Sequence, residues 1–301
     1  MKEVQEIIRV FKHRRDEPLA LATLVRVQGS SYRQPGARML ITSDRSTVGA
    51  LSGGCLEEEV ALRAQEVIAT GRPALLTFDT RLRYGCNGSI EIFVERVRPQ
   101  LLDDLGATQA ARGECLLATV FEKAASLGSE IVRSEAAAPE GAFCQTIRPP
   151  LQLLLIGQGP DSPPLCALAA VLGWKTIEVE EAATLPDGID KWTAAVVKTH
   201  NYGRDYTALE QLLPRGLRYV ALLGPRQRRD QLLHTLLESG VAVRSELFSP
   251  AGLGLGAESP EEIALAIVAE IQATFAEAPG DSLRQHKEPI HQTREFIYGT
   301  M

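Results

Sequence analysis

The chain has 301 residues, 45% of them hydrophobic, enough for about two domains that each bury a substantial core. Its 32 Lys and Arg stand against 38 Asp and Glu, a formal net charge of -6, whereas nucleic-acid surfaces normally show a basic balance or a clustered basic patch. No segment approaches the roughly 18 apolar residues of a membrane span, and five irregularly spaced cysteines do not make a secreted disulfide framework. A cytoplasmic protein with reduced thiols, no membrane association and no nucleic-acid partner is expected.

The opening "MKEVQEIIRVFKHRR" reads as an amphipathic helix and lacks the uninterrupted apolar core of a secretion signal. The runs "LALATLVRVQ", "ARMLITS", "STVGAL", "ALLTFD" and "SIEIFVERV" are short, β-branched or alternating, and bounded by Gly, Pro and Asp, which predicts strands. They form a sheet covered by the helices 1–15 and 56–70. Between Pro99 and Pro150 the signal is poorer, with "CLLATVF", "SEIVRS" and "AFCQTI" as three further strands. The consecutive prolines Pro149 and Pro150 favour an extended connection and mark a boundary. Domains are therefore expected at 1–148 and 149–280, with a tail at 281–301.

The second region alternates strand and helix. "LQLLLIG", "KTIEVE", "AAVVKTH" and "RYVALLG" are strands, while "LCALAAVLGW", "DYTALEQLL" and "RQRRDQLLHTLLESG" are helices. This series predicts a Rossmann-like, doubly wound parallel sheet. The fold class is thus α/β, an N-terminal mixed α/β domain followed by a Rossmann-like domain. A last helix opens at Ser259-Pro260-Glu261-Glu262, a strong N-terminal signature.

Several turns carry chemistry. In "GALSGGCLEEEV", Ser52, Gly53 and Gly54 lead an apolar strand into a helix, so their amides face an anion and Cys55 stands where a helix dipole favours thiolate. The same residues equally suit a tight glycine turn with a small buried cysteine. Cys86 sits in a second short turn, "RYGCNGS". Arg38, after the polar loop "QGSSYRQPGA", can reach a phosphate or a carbonyl oxygen with charge-assisted bonds. In the second domain Gly157 and Gly159 lie where a dinucleotide fingerprint belongs, and Glu180 lies where a ribose hydroxyl would be met. Ser162 replaces the usual third small residue, and Pro163 and Pro164 remove two amides, so conventional NAD(P) binding is not expected. His200 and Arg226 follow later strands, as a proton carrier or ligand and as a phosphate or carboxylate contact. A loop with Gly252, Gly254 and Gly256 joins the same neighbourhood.

"VQGSSYRQPGARMLI", "GALSGGCLEEEV", "YGCNGSIEIFVE", "YVALLGPRQRR" and "SPAGLGLGAESPEEIALAIVAEI" occur in the order expected of the XdhC/CoxI family, accessory factors of xanthine dehydrogenase and carbon monoxide dehydrogenase. The chain resembles that family from near Leu19 to near Thr274. The resemblance implies a non-catalytic chaperone that carries the molybdenum cofactor as cargo, supports its sulfuration and hands it to an apo molybdenum hydroxylase of the xanthine dehydrogenase type. It further implies Cys55 and Cys86 as molybdenum ligands, with a cysteine desulfurase and a second copy of the chain as further partners. The pattern departs from the family at Asn87, at Pro160 and Asp161, and at Pro225. Two other readings stand beside it: an NAD(P)-dependent oxidoreductase built on Gly157, Gly159 and Glu180, and a docking or dimerisation module.

Overall fold

Two units emerge from the packing, the first running through Pro149 and the second from Pro150. The computed structural model describes residues 2–79, 88–122, 126–182 and 185–285.

The first unit is antiparallel throughout. Its main sheet has the order β3-β2-β1-β5-β4, from β1 (Ala20–Gly29), β2 (Arg38–Ile41), β3 (Thr47–Gly49), β4 (Ala74–Asp79) and β5 (Gly88–Arg96). Alternation along β1 sends Ala20, Ala22 and Leu24 to one face, where α2 (Glu57–Thr70) lays Val60, Ala64 and Val67 over them. Leu19 and Leu21 go to the other face, against Ile7 and Phe11 of α1 (Lys2–His13) and Leu102 and Leu105 of α3 (Pro99–Ala110). The pairing of β1 with β5 shifts register between Leu24 and Arg26. Val25 follows the ordinary alternation and joins Phe93, Phe121 and Phe143, and past the bulge the alternation is reversed, so Val27 falls on the α2 side. A second sheet, β7-β6-β8, comes from β6 (Cys115–Val120), β7 (Gly128–Val132) and β8 (Phe143–Ile147).

Helix α3 is the element that sequence reading passes over. Its leucines recur at helical spacing, yet Gly106 interrupts it and Pro99 opens it, both of which read as breakers. The structure explains the glycine: a Cβ there would come within 3.3 Å of Ile8 Cγ2, so Gly106 is where α1 and α3 approach.

The second unit is a five-stranded parallel sheet of order β10-β9-β11-β12-β13, from β9 (Gln152–Ile156), β10 (Lys175–Val179), β11 (Thr193–Val197), β12 (Tyr219–Leu222) and the short β13 (Leu247–Phe248). The central strands β9, β11 and β12 are buried along their whole length, as parallel strands covered on both faces must be. One face carries α4 (Ser162–Val171) and α7 (Pro260–Ala276), the other α5 (Tyr202–Leu212) and α6 (Arg226–Glu238). The chain leaves β9 toward β10 on one side and then crosses back to β11 on the other. The carboxyl ends of β9 and β11 therefore flank the topological switch point, where open α/β sheets place their ligands. Among the described residues no helix is long and apolar enough to cross a membrane.

At that switch point Gly157 is required twice over. Its φ is +101°, and a Cβ there would lie 2.7 Å from Thr199 Cα and 2.8 Å from the Lys198 carbonyl group. Gly216 shares the left-handed backbone, at φ +67°, but in open space. Gly157→Ala is expected to cost about 3 kcal/mol, combining left-handed strain with overpacking against backbone, and Gly216→Ala about 1 kcal/mol. Urea unfolding of the two variants checks this, and equal losses would show that the crowding at Gly157 adds nothing.

Candidate functional site

In the first unit the turn Ser52–Cys55 delivers the chain from β3 into α2. Gly54 takes φ +106°, Cys55 is exposed, and its Sγ lies 3.6 Å from Ser52 Oγ. Helix α2 has Leu56 at its cap position, a residue with no side chain to receive the first amides. Glu57 does so instead. Its Oε1 accepts from the amides of Leu51, at 3.0 Å, and Ser52, at 2.8 Å; its Oε2 accepts from Ser52 Oγ, at 2.7 Å, and the Leu56 amide, at 3.1 Å. The Gly54 amide donates to Ser52 Oγ at 3.2 Å. The anion that meets the amides of Leu51, Ser52 and Leu56 is thus the chain's own carboxylate. Partial burial acts to raise the Glu57 carboxyl, but these hydrogen bonds outweigh it and hold the group below its usual range.

Of the cysteines described, Cys55 alone is exposed; Cys115, Cys144 and Cys166 are half-buried, and burial pushes their thiols up. Cys86 and Asn87 lie outside the described residues. Among the described residues no group of three His, Cys, Asp or Glu side chains gathers as a metal site. Arg38 is buried on β2, with a guanidinium that donates to the Gly36 carbonyl at 3.0 Å and to Gln145 of β8. Desolvation lowers it to about 10 despite the nearby carboxylates of Glu3 and Glu95. It faces the interior, where it braces the second sheet against the first.

In the second unit the carboxyl edge is built from the loops after β9, β11 and β12. Gly159 sits against Asp161, whose Oδ1 is 2.7 Å from where a Cβ on Gly159 would be. Asp161 stands at the entrance of α4 but makes no capping hydrogen bond; its Oδ2 instead faces Lys198 Nζ at 3.5 Å, and both side chains are buried. Pro163 and Pro164 occupy the first turn of α4, and the Ser162 amide donates to the Gly159 carbonyl at 3.1 Å. Glu180 is exposed just past the end of β10.

After β11, Thr199 Oγ1 donates to the buried Asp205 at 2.5 Å, and Asn201 caps α5 through the Arg204 amide at 3.1 Å. His200, between these two anchored residues, is exposed and takes φ +54°, an uncommon conformation for a residue with a side chain. Arg228 pairs with Asp205 at 2.5 Å, and Arg229 donates to the Ser249 carbonyl at 2.7 Å. Both arginines stand in the first turn of α6, and they tie that helix to its neighbours. Arg226 is exposed, and among the described residues its side chain has no ion pair or hydrogen bond. Gly252 is packed against Ala266 of α7, and its amide donates to Glu270 at 2.8 Å, which places it in the fold's framework.

The sequence signals for Lys198, Asp205 and Arg228 were present. A lysine closes the apolar run "TAAVVK", and an aspartate follows the Asn201 cap by one helical turn. Neither pairing is readable from spacing alone, because each partner comes from a different loop.

The amino-terminal part, residues 13–79, matches the model of the XdhC and CoxI family, and residues 153–271 match that of the XdhC Rossmann domain. The chain is 32% identical to a Bacillus subtilis (strain 168) protein named as a probable subunit of xanthine dehydrogenase, over 86% of this chain and 93% of that one. It is 25% identical to the molybdenum cofactor insertion chaperone PaoD of Escherichia coli (strain K12), over 87% of this chain and 85% of that one. A crystal structure from Bacillus halodurans, described as a xanthine dehydrogenase, superposes with a TM-score of 0.79 at 26% identity, over 94% of this chain and 98% of that one.

Glu57 generates a test of the first site. A carboxyl held below its unfolded value contributes stability that is present above the unfolded pKa and lost as pH falls through the folded one. Glu57→Gln is expected to cost about 1 kcal/mol at pH 7, by analogy with loss of a helix cap, and to flatten the acid limb of the stability curve. Thermal melts from neutral pH down into the acid range check this; an unchanged acid limb would show that the carboxylate does not hold the turn.

Proposed function

The chain belongs to the XdhC and CoxI family, and from that premise we propose that it is an accessory protein that handles molybdenum cofactor during maturation of a molybdenum hydroxylase. The observation that carries this reading is the similarity to PaoD, a named insertion chaperone, which runs through both units of the chain.

The cargo is a pterin whose dithiolene holds the metal and whose far end is a phosphate, so its carrier needs a soft contact and donors for anionic oxygen. Cys55 fits the first need: its thiol is exposed on a glycine turn with Ser52 Oγ beside it. The amides of Leu51, Ser52 and Leu56 do not fit the second while Glu57 holds them. Cys86 is kept as a second proposed metal contact on the sequence alone. Taken by itself, the second unit offers His200 and Arg226 as exposed contacts for anionic groups, with Gly157, Gly159 and Glu180 kept as further proposed contacts on the sequence alone. We further propose that the protein acts in the cytoplasm without turnover of its own, that it supports the cofactor's sulfuration with a cysteine desulfurase as partner, and that it forms a homodimer.

The oxidoreductase reading is the weaker one, because Pro163 and Pro164 leave the α4 entrance two amides short of an ordinary pyrophosphate site. Calorimetry is expected to show no micromolar NAD binding; micromolar affinity that Glu180→Ala removes would favour that reading instead.

The direct test purifies the chain from a host that makes molybdenum cofactor and measures metal and pterin per chain. Cys55→Ser is expected to melt within about 0.5 kcal/mol of the parent, as surface substitutions generally do, while retaining several-fold less molybdenum. Equal retention would remove Cys55 from the site, and no molybdenum or pterin in either protein would remove the cargo itself.

A further inference from the structure

Among the described residues, the buried side-chain atoms of the second unit that make no hydrogen bond belong to Asp161, Ser162, Lys198, Asp205 and Arg228, all at the carboxyl edge of the sheet. Asp205 and Arg228 meet each other at 2.5 Å. Of the remaining three, Asp161 and Ser162 belong to the Gly157–Ser162 turn and Lys198 packs against it. Lys198 is wholly buried; its ammonium carries three donors, and the Asp161 carboxylate at 3.5 Å is in ionic contact but beyond a good hydrogen bond. It lies 3.6 Å from the position of a Cβ on Gly159. A buried cation aimed at a glycine turn beside a helix entrance is the arrangement that would reward a phosphate.

We propose that Asp161 is a built-in anion that reserves the Lys198 ammonium and thereby determines the specificity of this turn, closing it to phosphate esters. Three features act together. The carboxylate neutralises the one buried cation at the turn and would repel a second anion beside it. The prolines remove two amide donors, and the Ser162 amide is already used by the Gly159 carbonyl. Of these, only Asp161 contributes charge, so a single uncharged replacement of the same shape should turn exclusion into binding. Specificity by an internal like charge is a form of discrimination against the wrong ligand. This inference does not rest on the molybdenum reading, since it concerns phosphate alone.

The test is calorimetry of the full chain with inorganic pyrophosphate and with ADP. The parent is expected to show no saturable binding at about 1 mM. Asp161→Asn is expected to bind at least about tenfold more tightly, through a charge-assisted contact to Lys198 that weakens with salt, and Asp161→Asn combined with Lys198→Met should lose that gain. A folded Asp161→Asn protein with no gain overturns the proposal. Should the single variant fail to fold because it strands the ammonium, the double variant retains no buried charge at the turn and must match the parent. A parent that binds pyrophosphate more tightly than the double variant overturns the proposal as well.

Discussion

A charge taken out of water must be met by a partner, because desolvation costs several kcal/mol per ion. Among the described residues, five such groups go inside: Arg38, Glu95, Asp161, Lys198 and Asp205. Each is met from another element, and those meetings tie strands to strands in the first unit and loops to helices in the second. Arg38 joins β2 to Gln145 of β8. Glu95 on β5 is pushed up by burial, against the opposing pull of Ser129 on β7 and the charges of Arg98 and Arg38. Lys198 fastens the end of β11 to the entrance of α4, and Asp205 fastens the loop after β11 to α6 through Thr199 and Arg228. Removing one partner leaves the other buried and unpaired, which is strongly destabilising.

The same requirement shapes both helix entrances that a sequence reading would offer to an anionic ligand. At α2 the capping residue is Leu56, which has no acceptor, so Glu57 turns back and serves four donors. At α4 the entrance presents Asp161, whose charge goes to Lys198 and whose following prolines offer no amides. The side chains exposed at these turns and strand ends are of another kind: the Cys55 thiol, the His200 imidazole and the Arg226 guanidinium. Recognition through side chains tolerates more variation in the ligand than a rigid cradle of amides.

How much of this was legible follows from where each signal is stored. Alternation and length expose β1, β4, β5 and the buried strands β9, β11 and β12, because the pattern reports directly which faces are covered. The Ser259 capping box on α7 is local, and its two reciprocal bonds form as Ser259 and Glu262 imply. Helix α3 was illegible because Gly106 answers to a neighbour, Ile8, distant in sequence. The family motifs located the Ser52–Cys55 turn, yet the role of Glu57 as its acceptor depends on a backbone reversal that spacing does not encode. Lys198 with Asp161 and Arg228 with Asp205 were hidden for the same reason. Each residue looks ordinary until the parallel sheet brings its loop beside the other.

On the proposed reading, a carrier must hold its cargo firmly enough to shield it and loosely enough to surrender it. A bare nest of amides would gain fully from an incoming oxyanion, since unsatisfied donors cost about 1–3 kcal/mol each when buried. At the Ser52–Cys55 turn those donors are already satisfied by Glu57. An oxyanion that binds there replaces the Glu57 carboxylate, and the net gain shrinks toward the difference between two similar hydrogen-bond sets. The carboxylate is also tethered one residue into the helix, so it returns to the amides as soon as the cargo leaves. Affinity at such a turn then comes chiefly from the Cys55 contact, a bond that a competing ligand in a recipient enzyme can replace, and release needs no larger rearrangement than the return of one side chain.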